Sequence, residues 1–326
     1  MKKNLLVTMA DENYVEIAKQ LFSSAYFNGG WKGDYLLLAH EIPEEKLKWF
    51  RKKGILVKEC KSLNSEDMRF SKLYLFTPEF KKWKNIVFLD SDIIVTASIQ
   101  DLAEVNGFYA VHDLFPTINA QFPFKSRNKN VYREFKRKYN LKEDIFNGGV
   151  MAFSTNLIEK DSFNRLKELT KKYLIFSQPG EQGAINLLFY KKWEKLPPAY
   201  NFNPFLMVHP FLTKKNPGIK GIILHFPGSR KPWNEKYSYY YRLWEKNLDK
   251  ADSINIKNPI NPKIKYSEEE IKIISKKIER KLFFHSPINC LDKLVGLIGI
   301  YLKKKTPGVY QNLKNFQLNF FKIKEE

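Results

Sequence analysis

The chain has 326 residues, of which 43% are hydrophobic and 15% aromatic, and its formal net charge is +21. That much apolar surface can form a sizeable core, which excludes wholesale disorder. The length suits one large catalytic domain with a smaller appendage, or two modest domains. A strongly positive field attracts nucleic acid, anionic lipid head groups or phosphorylated substrates, and charge alone does not choose among them.

The cysteines and the apolar runs indicate the cellular compartment in which the protein is expected. Cys60 and Cys290 fit neither a disulfide framework nor a zinc-binding spacing, so a reduced, cytoplasmic compartment is the simpler interpretation. The N-terminal apolar run is too short for a secretory signal and predicts a first strand. The best candidate for a membrane span, Leu282–Leu302, is interrupted by polar and charged residues, so it is not expected to cross a bilayer.

The first third of the chain alternates between strand and helix patterns. Strands are predicted over Asn4–Ala10, Asp34–His40, Gly54–Lys58 and Asn85–Leu89, and helices over Val15–Ser24, Pro43–Lys53 and Phe70–Lys82. Such alternation with continuous apolar strands predicts an α/β fold in which helices cover a mainly parallel sheet. Ligands of these sheets bind at the carboxyl ends of strands.

The rest of the chain is less regular. The predicted elements are a strand Phe108–His112, a long polar connection Phe115–Asp144 with a helix near Asn130–Lys138, a strand Phe146–Ser154, helices Leu157–Ile175 and Glu181–Tyr190, a strand Gly221–Phe226, a linker Ile254–Tyr266 and a helix Ser267–Lys281. Connections as long as the first are typically lids, binding loops or disordered inserts. We expect a catalytic domain at 1–250 and a basic, partly helical C-terminal extension at 251–326.

The strongest local signal is the run Asp90-Ser91-Asp92, which directly follows an apolar strand. Two carboxylates at the carboxyl end of a strand place hard oxygen ligands at the mouth of the sheet. A divalent Mg or Mn ion held there can also bind the oxygens of a diphosphate. The alternative is a solvated turn with two capping aspartates, and the preceding apolar strand favours the metal site.

A second signal, His225–Trp233, also follows an apolar strand. A histidine can complete a metal shell otherwise made of oxygens. Gly228 permits a close backbone approach, and Lys231 can place its charge against a phosphate. A buried histidine beside a proline-rich loop is the alternative, and only the combination of His225, Gly228 and Lys231 favours a ligand site.

Taken in order, these motifs resemble glycosyltransferase family 8 over residues 4–240. The resemblance implies a GT-A type fold, a UDP-sugar donor, Mn²⁺ or Mg²⁺ as cofactor, and transfer with retention of anomeric configuration. It also implies the binding roles: a donor-binding opening segment with Thr8, Ala10, Asp11, Asn13 and Tyr14; a basic residue near the donor, Lys72; the metal motif Asp90, Ser91 and Asp92 with His225; and Gly228 and Lys231 at the diphosphate.

The same resemblance implies a catalytic group around the donor sugar, formed by Asp113, Asn147, Glu181 and Gln182. We expect a same-face attack through a short-lived oxocarbenium-like species, oriented by Gln182 and Asp113. Two positions depart from the family pattern. Glu181 stands where many members carry Asp, and Gly148 replaces the more usual Ser or Ala, which is expected to loosen the donor-sugar pocket.

The implied partners are a UDP-glucose or UDP-galactose donor and a saccharide or lipid-linked oligosaccharide acceptor, in lipopolysaccharide or cell-surface glycan synthesis. The basic and aromatic tail suggests peripheral attachment to an anionic membrane at its inner face, whereas a helical cap packed on the catalytic domain is the alternative. The alternative functions are a non-catalytic sugar-nucleotide-binding relative, a nucleotidyltransferase and a nucleic-acid-binding module. The last lacks clustered arginines or a helix-turn-helix, so no nucleic acid is expected as a partner.

Overall fold

The structure, a computed structural model, describes residues 3–63, 67–123, 129–177, 180–207 and 220–281, together with residues 306 and 308. The chain divides into two compact units, and the first ends at Ile278. In this first unit a seven-stranded sheet is flanked by helices, and a second sheet has two strands. Among the described residues, no helix combines the length and the apolar character that crossing a bilayer requires.

Strands and helices alternate along much of the described chain, as the sequence predicts. The strands are β1 Leu5–Ala10, β2 Asp34–His40, β3 Leu56–Cys60, β4 Asn85–Leu89, β5 Ile93–Val95, β6 Phe108–Thr117, β7 Asp144–Ser154, β8 Glu194–Lys195 and β9 Ile223–His225. The α-helices are α1 Val15–Phe27, α2 Glu44–Lys52, α3 Ile118–Gln121, α4 Lys129–Lys138, α5 Ser162–Tyr173, α6 Gly180–Leu188, α7 Pro204–Met207 and α8 Tyr239–Leu248. Residues 268–281 are also helical.

The large sheet is mainly parallel and has the strand order β3-β2-β1-β4-β7-β6-β8. Strands β1 to β4 run parallel to one another, whereas β7 is antiparallel to both of its neighbours. Every residue of β1 and β4 is buried, as expected for central strands covered on both faces. The carboxyl ends of β1 and β4 therefore lie side by side. Because Leu89 pairs with Val150, the residues just before Val150 in β7 reach the same edge.

The helix predicted over Phe70–Lys82 is wrong. The segment forms two 3-10 helices, Met68–Phe76 and Pro78–Lys82. Pro78 has no backbone N–H to continue the first helix, and its ring favours an extended conformation at Thr77, whose ψ is 149°. The chain therefore breaks between the two segments.

Several other predicted elements differ at their ends, and the physical cause is clear for two of them. The strand predicted at Gly54–Lys58 begins at Leu56, because Gly54 has φ of +79° and forms the turn that ends α2. The helix predicted over Leu157–Ile175 is α-helical only over Ser162–Tyr173, with short 3-10 helices on either side.

The connection predicted between Phe115 and Asp144 contains more regular structure than its composition suggests. Strand β6 continues to Thr117, whose side chain accepts a hydrogen bond from the N–H of Ala120 and so caps α3. Helices α3 and α4 then pack on α5 through a hydrophobic cluster that includes Ile118, Phe122, Phe135, Tyr173 and Phe176. Residues 124–128 lie outside the described part of the chain.

Residues that follow α8 also pack within the first unit. The Tyr26 hydroxyl donates to the Asn258 carbonyl at 2.7 Å. A Cβ at Gly30 would lie 2.5 Å from Pro262 Cδ, so this approach requires a glycine at residue 30. The predicted linker is therefore held by ordered contacts. That residues 251–326 act as a functionally separate extension stays a prediction, and the apolar and lysine-rich stretches beyond residue 281 lie outside the described residues.

Candidate active site

A cavity of about 360 Å³ lies where strands β1 and β4 end. Most of the residues predicted for the site line it, and they come from segments far apart in the sequence. They are Tyr14, Lys72, Asp90, Ser91, Asp92, Asn147, Glu181, Gln182, His225, Gly228 and Lys231. The fold thus brings together the two motifs that the sequence placed after separate apolar strands.

Asp90, Asp92 and His225 form a compact group of potential metal ligands. One ligand atom from each lies within 4.8 Å of the other two. His225 Nε2 is 3.8 Å from Asp90 Oδ2 and 3.4 Å from Asp92 Oδ1. Pairing of β5 with β9 sets this arrangement, since Ile93 is the register partner of His225. Two carboxylates and one imidazole are a donor set that suits Mn²⁺ or Mg²⁺.

Ser91 holds the two aspartates at the sheet edge. Its side chain is buried, and its hydroxyl donates to the Met9 carbonyl at 2.9 Å. This bond ties the turn after β4 to the end of β1. Asp90 and Asp92 are both partly exposed to the cavity.

Lys231 neutralises one of the carboxylates. Its Nζ donates to Asp92 Oδ2 and, at 2.7 Å, to the Phe226 carbonyl. Burial by itself raises the pKa of Asp92, but the neighbouring His225 and Lys231 outweigh that effect and lower it to about 2. Asp92 is therefore ionised in the folded protein, and its charge is met by a lysine.

Lys72 lines the cavity and joins the acidic group to helix α6. The side chain is 2% exposed, and its Nζ lies 3.1 Å from Asp90 Oδ1. It donates to Glu181 Oε1 at 2.7 Å and to the Gly148 carbonyl at 3.1 Å. Burial lowers the pKa of Lys72, but the carboxylates of Asp90 and Glu181 outweigh burial and raise it. Lys72 is therefore a buried cation between two carboxylates.

Side-chain amides form the other end of the cavity. Gln182 Oε1 accepts from the N–H of Gly148 at 2.9 Å, and its Nε2 donates to Asp113 Oδ2 at 3.1 Å and to Gln121 Oε1 at 2.9 Å. Asn147 Nδ2 donates to the same Asp113 oxygen at 3.2 Å. Asp113 itself does not line the cavity but holds two residues that do.

Gly149 is required where it stands. Its carbonyl accepts from the N–H of Asp90 at 2.8 Å, and its own N–H donates to Asn147 Oδ1 at 2.9 Å. A Cβ at this position would lie 2.3 Å from His225 Cε1, which real contacts never show. At Gly148 the nearest atom to an added Cβ would be 3.5 Å away, so a methyl group fits there. The glycine at 148 thus leaves extra room at the amide end.

The loop after β1 contributes an aromatic wall. Asp11 Oδ1 accepts from the N–H groups of Asn13 and Tyr14 and so caps the 3-10 helix Glu12–Tyr14. The Tyr14 ring lines the cavity and meets the Trp233 ring edge-on, with the ring centroids 6.1 Å apart. Burial, and the nearby carboxylates of Asp92, Asp11 and Asp90, raise the pKa of Tyr14.

Some residues predicted for donor binding do not line the cavity. The side chains of Thr8 and Ala10 are fully buried because every position of β1 is covered. Asp11 and Asn13 are also absent from the cavity wall, and Asp11 acts as a helix cap. Donor contacts by these residues stay predictions.

The structure adds residues that sequence reasoning missed. Asn201 Oδ1 lies 2.8 Å from His225 Nδ1, and Met68 and Arg69 line the cavity. Arg69 precedes Lys72 by one helical turn, and that spacing is a signal that could have found it. Asn201 follows a proline-rich 3-10 turn, and no periodic pattern marks it.

A mainly parallel sheet with a carboxylate pair after a central strand is an arrangement found in the GT-A class of sugar-transferring enzymes. The family model described as Glycosyl transferase family 8 matches residues 6–237. The chain therefore belongs to glycosyltransferase family 8.

Curated relatives are distant. "Probable glycosyl transferase Gly" of Streptococcus gordonii is 26% identical over 176 residues, which cover 53% of this chain and 23% of that protein. Glycosyltransferase GlyA of Streptococcus pneumoniae is 22% identical over 259 residues, covering 74% and 34%. Galactinol synthase 4 of Arabidopsis thaliana is 24% identical over 238 residues, covering 65% and 66%. The chain spans about a quarter to a third of the length of the two streptococcal relatives.

Solved structures support the fold. Galactosyltransferase LgtC, in complex with donor and acceptor sugar analogs, matches with a TM-score of 0.54 and 20% identity, covering 81% of this chain and 98% of that one. The apo form of glycosyltransferase GlyE from Streptococcus pneumoniae matches with a TM-score of 0.53 and 22% identity, covering 79% and 65%. Both matches indicate the GT-A fold.

Proposed function

We propose that the protein transfers a hexose from a UDP-sugar to a saccharide acceptor, with retention of anomeric configuration and with Mn²⁺ or Mg²⁺ held by Asp90, Asp92 and His225. One observation carries this proposal: these three side chains meet in a single cavity between two lysines, Lys72 and Lys231. A UDP leaving group develops negative charge, and fixed positive charge is what stabilises it.

The side chains fit a hard divalent cation. Ligand atoms within 4.8 Å of one another can close around one ion with small rotations, since Mg²⁺ binds oxygen at about 2.0–2.1 Å. The site already holds a cationic group, because the Lys231 ammonium contacts Asp92. When bound, a divalent cation would offset the charge of the diphosphate.

The two lysines have different parts in this proposal. Lys231 contacts one carboxylate and one carbonyl, and a diphosphate would offer it a stronger acceptor. Lys72 is enclosed by Asp90, Glu181 and the Gly148 carbonyl, which leaves it no such freedom. We infer that Lys231 binds the diphosphate and that Lys72 positions the two carboxylates.

Retention of anomeric configuration is best explained if the acceptor attacks the donor sugar on the same face from which UDP leaves. A double displacement needs a nucleophile, and Gln182 is poorly suited to be one. Its amide oxygen accepts a backbone N–H, and its nitrogen donates to Asp113 and Gln121. We propose that Gln182 and Asn147, supported by Asp113, instead orient the donor sugar. A product of inverted configuration, detected by NMR, would contradict this part of the proposal.

Donor, acceptor and location extend the proposal. We propose UDP-galactose or UDP-glucose as donor and a cell-surface or lipid-linked saccharide, as in lipopolysaccharide, as acceptor. LgtC, which shares the fold, is named a galactosyltransferase.

Attachment of a cytoplasmic enzyme to an anionic inner membrane through the lysine-rich tail beyond residue 281 is expected to be lost at high salt. Co-sedimentation with anionic vesicles that is the same at low and high salt would contradict an electrostatic attachment.

The experiment that tests the function measures UDP release from a panel of UDP-sugars, with Mn²⁺ and with EDTA. We expect slow hydrolysis of one donor that EDTA stops and Mn²⁺ restores. Asp92→Asn should lose this activity, whereas the exposed control Asp161→Asn should keep it. Equal turnover in EDTA would refute the metal role. No release and no UDP binding would contradict the function as a whole, while binding without turnover would indicate a binding-only relative.

A further inference from the structure

The metal-ligand candidate His225 is joined to the amide end of the cavity through Asn201. Asn201 Oδ1 lies 2.8 Å from His225 Nδ1, and Asn201 Nδ2 donates to Asn147 Oδ1 at 2.9 Å. Asn147 in turn donates to Asp113, which also accepts from Gln182. A continuous set of hydrogen bonds therefore runs from the metal group to the predicted sugar pocket.

A backbone group fixes the direction of these bonds. The N–H of Gly149 donates to one side-chain atom of Asn147, and because a backbone N–H can only donate, that atom must be the amide oxygen. The other Asn147 atom faces the Asp113 carboxylate, which accepts, so it must be the NH₂ group. The two contacts give the same orientation independently.

The same logic extends to the histidine. The Asn201 atom that faces Asn147 Oδ1 must donate, so it is the NH₂ group, and the Asn201 oxygen faces His225. An amide oxygen only accepts, so His225 Nδ1 must carry a proton. In a neutral imidazole the lone pair is then on Nε2, the atom that faces Asp90 and Asp92.

We propose that Asn201 is a positioning residue that holds His225 in the Nδ1–H tautomer, so that Nε2 presents its lone pair to the metal site. This inference rests on the proposed function, because it assumes that Asp90, Asp92 and His225 bind a cation. The Nε2 distances of 3.4 and 3.8 Å are longer than an ordinary N–H···O bond, which agrees with an unprotonated Nε2.

Gly149 contributes to the same orientation of His225. It supplies the N–H that sets the direction of the chain, and its missing Cβ gives the His225 ring its place. Its carbonyl fixes the backbone of Asp90. One residue thus sets the tautomer of one ligand and the position of another.

A first test needs no change at Asn201. Long-range ¹H–¹⁵N spectra of ¹⁵N-histidine-labelled protein distinguish the two neutral tautomers, and His225→Gln identifies the resonances of residue 225. At about pH 8, where imidazole is ordinarily neutral, we expect Nδ1 protonated and Nε2 unprotonated without metal. An Nε2–H tautomer would overturn the inference.

A second test measures the Mn²⁺ dissociation constant directly, with UDP present. Asn201→Ala should weaken Mn²⁺ binding by about 10–100-fold, the usual cost of losing a group that orients a metal ligand. Asn85→Ala removes a buried amide outside this set, whose NH₂ group donates to the Ala103 carbonyl at 2.7 Å, and it should leave Mn²⁺ affinity unchanged. Equal affinity in wild type and Asn201→Ala would overturn the inference. Wild-type protein that binds no Mn²⁺ would instead overturn the metal site of the proposed function.

Discussion

The two ends of the cavity are built differently. At the charged end, Asp90 directly follows β4, Asp92 directly precedes β5 and His225 ends β9, while Lys231 follows six residues after His225. At the amide end, Gln121, Asn147 and Gln182 come from α3, β7 and α6. Gln182 donates to Gln121 directly, and Gln182 and Asn147 both donate to Asp113. The charged end is therefore set by strand positions, whereas the amide end depends on how separate elements pack.

This difference separates two kinds of contribution. Charges at the strand ends supply the electrostatic interactions that bind a cation and a diphosphate. The amides supply direction, because each donor and acceptor has a defined partner. Residues that touch both ends, Lys72 and Gly149, are where the two sets of interactions are coupled.

Lys72→Met should have the largest effect on stability. It leaves the carboxylates of Asp90 and Glu181 without their buried cation, and breaking such a group costs about 3–5 kcal/mol of unfolding free energy. Lys84→Met is the matched control, because Lys84 and Glu104 form a pair whose side chains are 56% and 65% exposed. Breaking that pair should cost less than about 1 kcal/mol. Urea denaturation measures both, and similar small losses would contradict the role of Lys72.

Neighbouring glycines give the sharpest contrast in metal binding. Gly149→Ala should weaken Mn²⁺ binding by about 10–100-fold, because the new methyl group displaces His225. Gly148→Ala adds the same methyl group where it fits, and its Mn²⁺ affinity should match wild type. Titration calorimetry with UDP present compares the two. Equal losses in both variants would show that the His225 contact is not the cause.

Asp92 should make stability depend on pH. Its folded pKa of about 2 lies below the unfolded value of about 3.9, so the ionised carboxylate stabilises the folded state above about pH 4. That contribution is lost as pH falls towards 2. In EDTA, the stability gap between wild type and Asp92→Asn should therefore shrink by about 1–2 kcal/mol between pH 7 and pH 2.5. A gap independent of pH would show that Asp92 has no such pairing.

Lys231→Met should give a smaller effect whose sign depends on the nucleotide. Without UDP, removing the ammonium frees Asp92, and Mn²⁺ should bind about fivefold more tightly, or about 1 kcal/mol. With UDP, the variant lacks a partner for the diphosphate, and Mn²⁺ should bind more weakly than in wild type. Electron paramagnetic resonance of free Mn²⁺ measures both cases. Weaker binding in both would contradict the exchange of partners by Lys231.

The sequence predicts those parts of the structure that are determined by residues close together in the chain. The ranges of β2 and β4 match because continuous apolar runs end at clear polar breaks. The carboxylates of Asp90 and Asp92 were found because they follow such a run. The prediction of one helix over Phe70–Lys82 is wrong at Pro78, because the effect of Pro78 on the preceding residue outweighs the apolar pattern.

The hydrogen bonds of the site cannot be predicted from the sequence. Asn201 is 24 residues from His225, and Gln121 is 61 residues from Gln182. No period or motif connects such pairs, since their contact depends on sheet order and on the packing of α3 and α6. The sequence likewise indicated Lys72 as a basic residue near the donor but not its burial between two carboxylates.

The most direct measurement counts the Mn²⁺ ions bound per chain with UDP present, in wild type and in the double variant Asp90→Asn, Asp92→Asn. The account predicts a single tightly bound ion in wild type and none in the double variant, because both carboxylates at the end of β4 are needed. Wild-type protein that binds UDP without Mn²⁺, or a double variant that still holds the ion, would contradict the assignment of the metal site.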